Sequence, residues 1–268
     1  MIDLDRIGAI VRATAMAEVM PRFRALGHGD IREKKPGDLV TIADTEAERV
    51  LIAGLEAALP GSVALGEESV FADPTRLELL AGEAPVWIID PVDGTSNFAK
   101  GVAAFAVIVA YVEQGAVAAG WIYDPIADVL VAGARGRGAW SGGRRLQVAV
   151  PVPPARVDGS AYGRTQAGVR SGQALTASGR FGTVHNRGSS GLEYMDVTLG
   201  RSHFTLHSRS LSWDHAAGML LVAEAGGMAC FLDGAPYDPR ILDAKPLAAS
   251  SPEIWHLVRD IVAAPTAG

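Results

Sequence analysis

Apolar residues recur at three- and four-residue spacing through Leu4, Ile7, Val11, Ala15 and Val19, which predicts an opening amphipathic helix that Pro21 ends or kinks. Residues 28–41, with Lys34-Lys-Pro-Gly-Asp38, read as a turn-rich connector. A second helix is expected from about Ile42 to Leu59, with Ala47, Val50, Leu51, Leu55 and Ala58 on one side and Pro60-Gly61 as its stop. Val63-Ala-Leu-Gly66 reads as a short strand. Val86-Trp-Ile-Ile89 is apolar throughout, the pattern of a strand buried on both faces, and Pro91 is expected to end it because it cannot donate to a ladder. From Ala104 to Ala132 the period becomes that of strands. Val107–Val112, Ala116–Tyr123 and Val129–Ala132 are separated by Glu-Gln-Gly and Asp-Pro turns, the signature of an antiparallel meander. Pro151-Val-Pro-Pro154 marks the expected boundary between a lobe of residues 1–150 and one of residues 151–268. Beyond it, strands at Thr183–His185, Phe204–Leu206 and Met228–Phe231 alternate with helices near 190–199, 214–225 and 252–263. Gly226-Gly227 closes the second of these helices. There are no internal repeats and no low-complexity tract.

Composition narrows the functional classes. A chain of 268 residues, 49% hydrophobic and 20% charged, can build one large α/β domain or two lobes sharing a core, and is not globally disordered. The net charge of −6 argues against nucleic acid or an anionic membrane as a partner. It leaves a small anionic substrate open, because a bound metal can reverse the sign locally. The single cysteine, Cys230, allows neither an intrachain disulfide nor a cysteine zinc site, and its apolar setting makes it a small core residue. The opening Met1-Ile-Asp-Leu-Asp-Arg6 is acidic where a signal peptide is basic, and no apolar run is long enough to span a bilayer. A soluble cytoplasmic protein is expected.

The chemistry concentrates at the ends of the predicted strands. Asp90-Pro-Val-Asp-Gly-Thr95 follows the strand Val86–Ile89 directly. Two carboxylates this close repel each other in a low dielectric, and a divalent cation is the economical way to keep both ionised. Mg²⁺ suits such a place, since it needs few protein carboxylates beside water and substrate phosphate. Gly94-Thr-Ser-Asn97 can open a helical turn whose N–H groups receive a phosphate. An ordinary Asp-Gly turn with a capping aspartate would use the same residues. The spacing fits neither a calcium-binding EF-hand loop nor the Asp-x-Asp motif of haloacid-dehalogenase-type phosphatases. Glu67-Glu68 after the strand Val63–Gly66 is a second acidic pair that could equally be a solvated loop. Asp214, near the start of the helix at 214–225, and Asp44, three residues after Thr41, both stand where helix caps are common.

Together these segments resemble the inositol monophosphatase family of Mg²⁺-dependent, lithium-sensitive phosphatases. The resemblance rests on Gly66-Glu-Glu68, Trp87-Ile-Ile-Asp-Pro-Val-Asp-Gly-Thr95 with Asn97-Phe98, Trp213-Asp-His-Ala-Ala-Gly218 with Glu224-Ala-Gly-Gly227, and Asp38-Leu-Val-Thr41 with Asp44, in the family's order and spacing. It implies a layered αβαβα sandwich of mixed α/β class and a homodimer acting on a small phosphorylated metabolite. It implies two or three Mg²⁺ ions held by Glu67, Asp90, Asp93, Asp214 and the Val92 carbonyl. Asp90 would bridge two of them, and a weaker third site would use Glu67 and water. The resemblance further implies a dyad of Asp44 and Thr95 that orients and deprotonates the attacking water, with Glu67 counted beside it. Gly94 and Thr95 N–H groups would hold phosphate oxygens, and Ser189, Ser190 and His207 would meet the substrate. Most metal ligands then fall in the first lobe, and the second completes the site. The family commonly carries glutamate where His207 stands, seven residues before Asp214. Histidine can donate, accept or become cationic, so with His185, Arg187 and Arg209 nearby a more basic pocket is expected. Related phosphatases acting on histidinol phosphate, fructose 1,6-bisphosphate or adenosine 3′,5′-bisphosphate share the metal motifs. A catalytically dead binding subunit would be expected to have lost a ligand, and none is lost here.

Overall fold

The opening helix α1 (Leu4–Thr14) is capped by Asp3, which accepts from the Asp5 and Arg6 N–H groups. It runs on through a wide π turn at Ala15–Val19, and a tight turn at Met20–Arg22 containing Pro21 ends it. The computed structural model describes residues 2–150, 152–153, 156–163 and 168–264, so Met1, Pro151 and Pro154 of the sequence reading lie outside the described residues. The expected connector is instead a hairpin. Strands β1 (Ile31–Lys35) and β2 (Asp38–Thr41) pair antiparallel, and Gly37 turns between them at φ +82°. Its mostly charged first strand carries no apolar alternation, which is why periodicity overlooks it. Helix α2 (Ile42–Ala58) follows, with Thr41 and Asp44 closing a reciprocal capping box.

Strand β3 (Val63–Gly66) lies parallel to β4 (Val86–Asp93), with the short helix α3 (Glu67–Ala72) and a 3₁₀ segment at Pro74–Ala81 between them. Contrary to expectation, β4 does not end at Pro91. Its pairing with β5 (Ala106–Glu113) is interrupted between Asp90 and Asp93 and resumes at Asp93–Ala106. Pro91 sits in the interrupted stretch, where a missing N–H costs the ladder nothing. The meander continues in chain order through β6 (Ala116–Asp124), β7 (Val129–Ala134), β8 (Gly138–Ser141) and β9 (Arg144–Arg145), completing a seven-stranded sheet. A short helix α4 (Thr95–Ala99) leaves the end of β4.

The second sheet contains β10 (Gly159–Ala161), β11 (Val184–His185), β12 (Phe204–Leu206), β13 (Met228–Phe231) and β14 (Pro246–Ala249), in the spatial order β11-β10-β12-β14-β13. Its helices are α5 (Ser171–Ala177), α6 (Ser190–Thr198), α7 (Ser212–Glu224) and α8 (Pro252–Val262).

Period-two alternation assembles the layers. Trp87, Ile89, Val107, Val109 and Trp121 pack against α1 and α2, while Val86, Ile88, Ile108, Ala110 and Ile122 pack against α6 and α7. The far side of α6 and α7 meets the five-stranded sheet, whose other face is covered by α5 and α8 around Phe204, Leu247 and Trp255. The molecule is thus an αβαβα sandwich. No helix of the described residues is long and apolar enough to cross a membrane.

Candidate functional site

The site forms where β4, α3, α4 and the N-terminal ends of α2, α6 and α7 converge. Asp90, Asp93 and Asp214 each offer a carboxylate oxygen, and these atoms lie within 4.8 Å of one another. Asp90 and Asp93 are buried, and Asp214 is partly open to solvent. Burial, followed by repulsion from Glu67 and Asp93, pushes the Asp90 carboxyl well above the usual carboxylate range. Burial, with repulsion from Asp93 and Glu67, does the same to Asp214. Among the described residues, the ion-pair partner that reaches this trio is the imidazole of His215, 3.9 Å from Asp214, and burial holds that imidazole neutral. Arg209 offsets part of the charge on Asp214, but among the described residues no side-chain cation is ion-paired to the trio; three convergent carboxylates of this kind are a donor set for a hard divalent ion, so the residues present fit Mg²⁺.

Asp93 is oriented by four donors. Ser189 Oγ (2.5 Å) and Gly191 N (2.8 Å) donate to one oxygen, and Ser190 N (3.1 Å) and Ser190 Oγ (2.8 Å) donate to the other. The hydroxyls of Ser189 and Ser190, expected at the substrate, are therefore engaged with Asp93. Val92 N donates to Asp90 Oδ1, and the Val92 carbonyl lies 2.9 Å from the Thr95 hydroxyl.

Asp44 is completely buried at the start of α2. Thr41 N and Thr41 Oγ1 donate to its Oδ2 at 2.8 and 2.5 Å, and Thr95 Oγ1 lies 3.1 Å from Oδ1. Burial raises this carboxyl to about 6 against the pull of those hydrogen bonds. The cap and the Asp44–Thr95 pair are thus one arrangement: one oxygen closes the helix and the other faces Thr95. Gly94, at φ +94°, turns the chain from β4 into α4, and a Cβ there would meet the Ala104 and Gly188 carbonyls at 3.0 Å.

Glu67 stands apart from the trio. Its Oε1 accepts from Lys34 Nζ at 2.6 Å, and the same ammonium reaches Glu68 at 2.9 Å. Burial alone would lower the Lys34 ammonium, but the two carboxylates outweigh it and keep it charged. Burial, opposed by Lys34, raises Glu67. Sequence reasoning overlooked Lys34 because it lies on the unrecognised hairpin.

Beside Asp93 and Asp214 opens a cavity of about 220 Å³, which His207 lines. His207 is buried between the rings of Tyr162 (centroids 5.2 Å apart, 16° between planes) and Tyr194 (5.1 Å, 24°), and its Nε2 lies 2.8 Å from Thr205 Oγ1. Burial drives it down to about 3, so of the states open to a histidine here the neutral one is favoured. Arg187 is committed to Asp196, whereas Arg209 lines the cavity. Glu193, also missed in the sequence, anchors the wall: Tyr162 OH and Arg187 N donate to its Oε1 at 2.9 and 2.8 Å, and Thr205 Oγ1 to its Oε2 at 3.2 Å. Burial raises Glu193 to about 7. A polar residue on the inward face of a helix was the available signal.

The family profile described as "Inositol monophosphatase family" matches residues 6–263. The chain is 36% identical over 207 residues to an inositol-1-monophosphatase of Mesorhizobium japonicum, covering 75% of each chain. It is 32% identical over 219 residues to the Nus factor SuhB of Pseudomonas aeruginosa, covering 77% of this chain and 78% of that one. Among solved structures it is similar to the Thermotoga maritima IMPase, with a TM-score of 0.77 at 27% identity over 97% of this chain and 93% of that one. With the profile spanning nearly the whole chain, and relatives above 30% identity across three quarters of it, this protein belongs to the inositol monophosphatase family.

Proposed function

We propose that the protein is a Mg²⁺-dependent phosphomonoesterase that hydrolyses a small phosphorylated polyol, sugar or related metabolite. The observation that carries this reading is the convergence of Asp90, Asp93 and Asp214 within 4.8 Å beside the Asp44–Thr95 pair and an open cavity. Asp90, Asp93, Asp214 and the Val92 carbonyl would hold Mg²⁺, with Glu67 joining once released from Lys34. The metal supplies charge neutralisation for the phosphoryl oxygens and lowers the pKa of bound water. The Thr95 hydroxyl positions the attacking water and passes its proton toward Asp44, whose carboxyl near 6 can accept it at neutral pH. The Gly94 and Thr95 N–H groups orient phosphate, and the cavity bounded by His207, Tyr162 and Arg209 takes the leaving group. Ser189 and Ser190 orient the Asp93 carboxylate and would thereby keep it in place as a ligand.

The relative named a Nus factor raises a second, non-enzymatic reading. The carboxylates weigh against it, because a pure binding subunit gains nothing from three converging acids, two of them buried, that repel one another. The test is phosphate release from a panel of small phosphomonoesters, including inositol 1-phosphate, with Mg²⁺ and with excess chelator. Mg²⁺-dependent release is expected; release indifferent to chelator, or none from any ester, overturns the proposal.

A further inference from the structure

The second sheet contains a reversal of strand order. Strand β10 lies between β11 and β12 and is parallel to both. The connection leaving β10 runs through α5 on the α8 side, whereas the one leaving β12 runs through α7 on the opposite side. Loops that part in this way open a crevice over the carboxyl ends of the strands, the usual ligand position in parallel sheets. Tyr162 follows β10, His207 follows β12, His185 ends β11 and Asn186 follows it.

Two cavities occupy this crevice, and Tyr162 lines both. One is the 220 Å³ cavity beside Asp93 and Asp214; the other, of about 580 Å³, lies over β11 and α5. The Tyr162 hydroxyl donates to Glu193 and accepts from Gly188 N at 2.9 Å, so its ring is a fixed divider between them. Among the described residues no carboxylate lines the larger cavity, although the chain carries a net charge of −6. It presents Arg170, His185, Gln173 and Asn186. Among the described residues Arg170 has no ion-pair partner, so its guanidinium is available to an incoming anion, whereas Arg209 already faces the Asp214 carboxylate.

We propose that the substrate spans Tyr162: its phosphate ester lies at the Asp93–Asp214 end, and a second anionic group, a carboxylate or phosphoryl group, binds in the Arg170 cleft. Resting on the phosphatase reading for its first end, this narrows the substrate class to phosphomonoesters whose leaving group carries a distal negative charge. An arginine–oxyacid contact forms charge-assisted hydrogen bonds and discriminates strongly against a neutral end.

The test uses non-hydrolysable phosphonates in the presence of Mg²⁺. Alkyl phosphonates of increasing length are compared by calorimetry with the same series ending in a carboxylate, and with one ending in a second phosphonate. The protein is expected to bind one charged series about tenfold or more tighter than the neutral series at one preferred length. That advantage should vanish in Arg170→Gln and persist in Arg180→Gln, an exposed arginine outside the cleft. Which charged series wins identifies the distal group. No advantage at any length, no binding of any phosphonate, or an advantage that survives Arg170→Gln overturns the proposal. Hydrolysis of the matching phosphate esters is followed separately. Absent turnover with an intact charge preference refutes the phosphatase reading alone, and turnover without that preference refutes the distal site alone.

Discussion

Four donors fix Asp93, so replacing it separates a ligand from a turn residue. Asp93→Asn keeps the shape but must present an NH₂ group to a donor of the 189–191 loop, and it removes one negative charge from the trio. The expected result is a folded protein with weakened Mg²⁺ affinity and turnover lowered by about 10²-fold or more, the scale for one lost electrostatic partner. Near-normal turnover with normal metal dependence would return Asp93 to the role of a turn. Glu193 gives a different prediction. Its carboxyl rises from 4.5 unfolded to about 7 folded, so the stability tied to its proton is complete below pH 4.5 and is lost as pH rises through 7. Glu193→Gln abolishes this titration and leaves Thr205 free to accept from the amide. The variant should therefore gain on the wild type between pH 4.5 and 7, by at most about 3 kcal/mol, in urea melts across that range. A constant difference across the range would remove Glu193 as the titrating group. At this scale Asp90, Asp93 and Asp214 were legible because short motifs name them. Lys34 and Glu193 were not, because only folding brings them to their partners.

Helix α3 begins at Gly66, which has no side chain to cap it; its cap comes from α2. Glu48 Oε2 accepts from Glu68 N at 2.8 Å and Oε1 from Ser69 N at 2.9 Å. A Cβ on Gly66 would stand 2.2 Å from the Glu48 carboxyl carbon, so glycine here makes room for the cap. Glu48→Ala should cost about 2 kcal/mol, the upper range for a lost cap, and Glu48→Gln about half of that. Unchanged urea midpoints in both would show that the two N–H groups find other partners. The junction of α6 and α7 is as tight. Gly218 lies inside α7, where alanine normally stabilises a helix by up to about 1 kcal/mol. Here its Cβ would meet the Tyr194 ring at 2.1 Å. Overpacking of this kind costs about 1–3 kcal/mol, so Gly218→Ala should lower the melting temperature; a rise would mean that Tyr194 yields freely. Long helices and the meander were legible because each repeats one period over many residues. The β1–β2 hairpin, α3, α5 and the short strands β8, β9, β10 and β14 were not, since pairing partners and caps far away in sequence define them.

Across the whole molecule, the site joins acids from both halves of the chain, and its repulsion is a cost borne by the fold. A metal that binds only the folded state relieves it. Saturating Mg²⁺ should raise stability by about 2–3 kcal/mol at a hundredfold excess over its dissociation constant. The gain should be larger at pH 8 than at pH 5.5. Asp90 and Asp214 have raised folded pKa values, so at the lower pH they hold protons that the metal must displace, and the apoprotein loses stability as they ionise on the way up. Melting temperatures with and without Mg²⁺ that differ equally at both pH values would contradict this. The layered order of the fold was legible only through family resemblance, because no periodicity reports that β11 and β12 flank β10. The strand order also has a consequence during synthesis. The seven-stranded sheet is complete once Arg145 has left the ribosome, with α1 and α2 ready to cover one face. The other face, carrying Val86, Ile88, Ile108 and Val112, waits for Ser190–Glu224. At about 5–20 residues per second, that apolar face stays uncovered on the nascent chain for several seconds or more. A chain arrested shortly after Arg145 should therefore be retained by chaperones, and release into a soluble state should coincide with the emergence of α7.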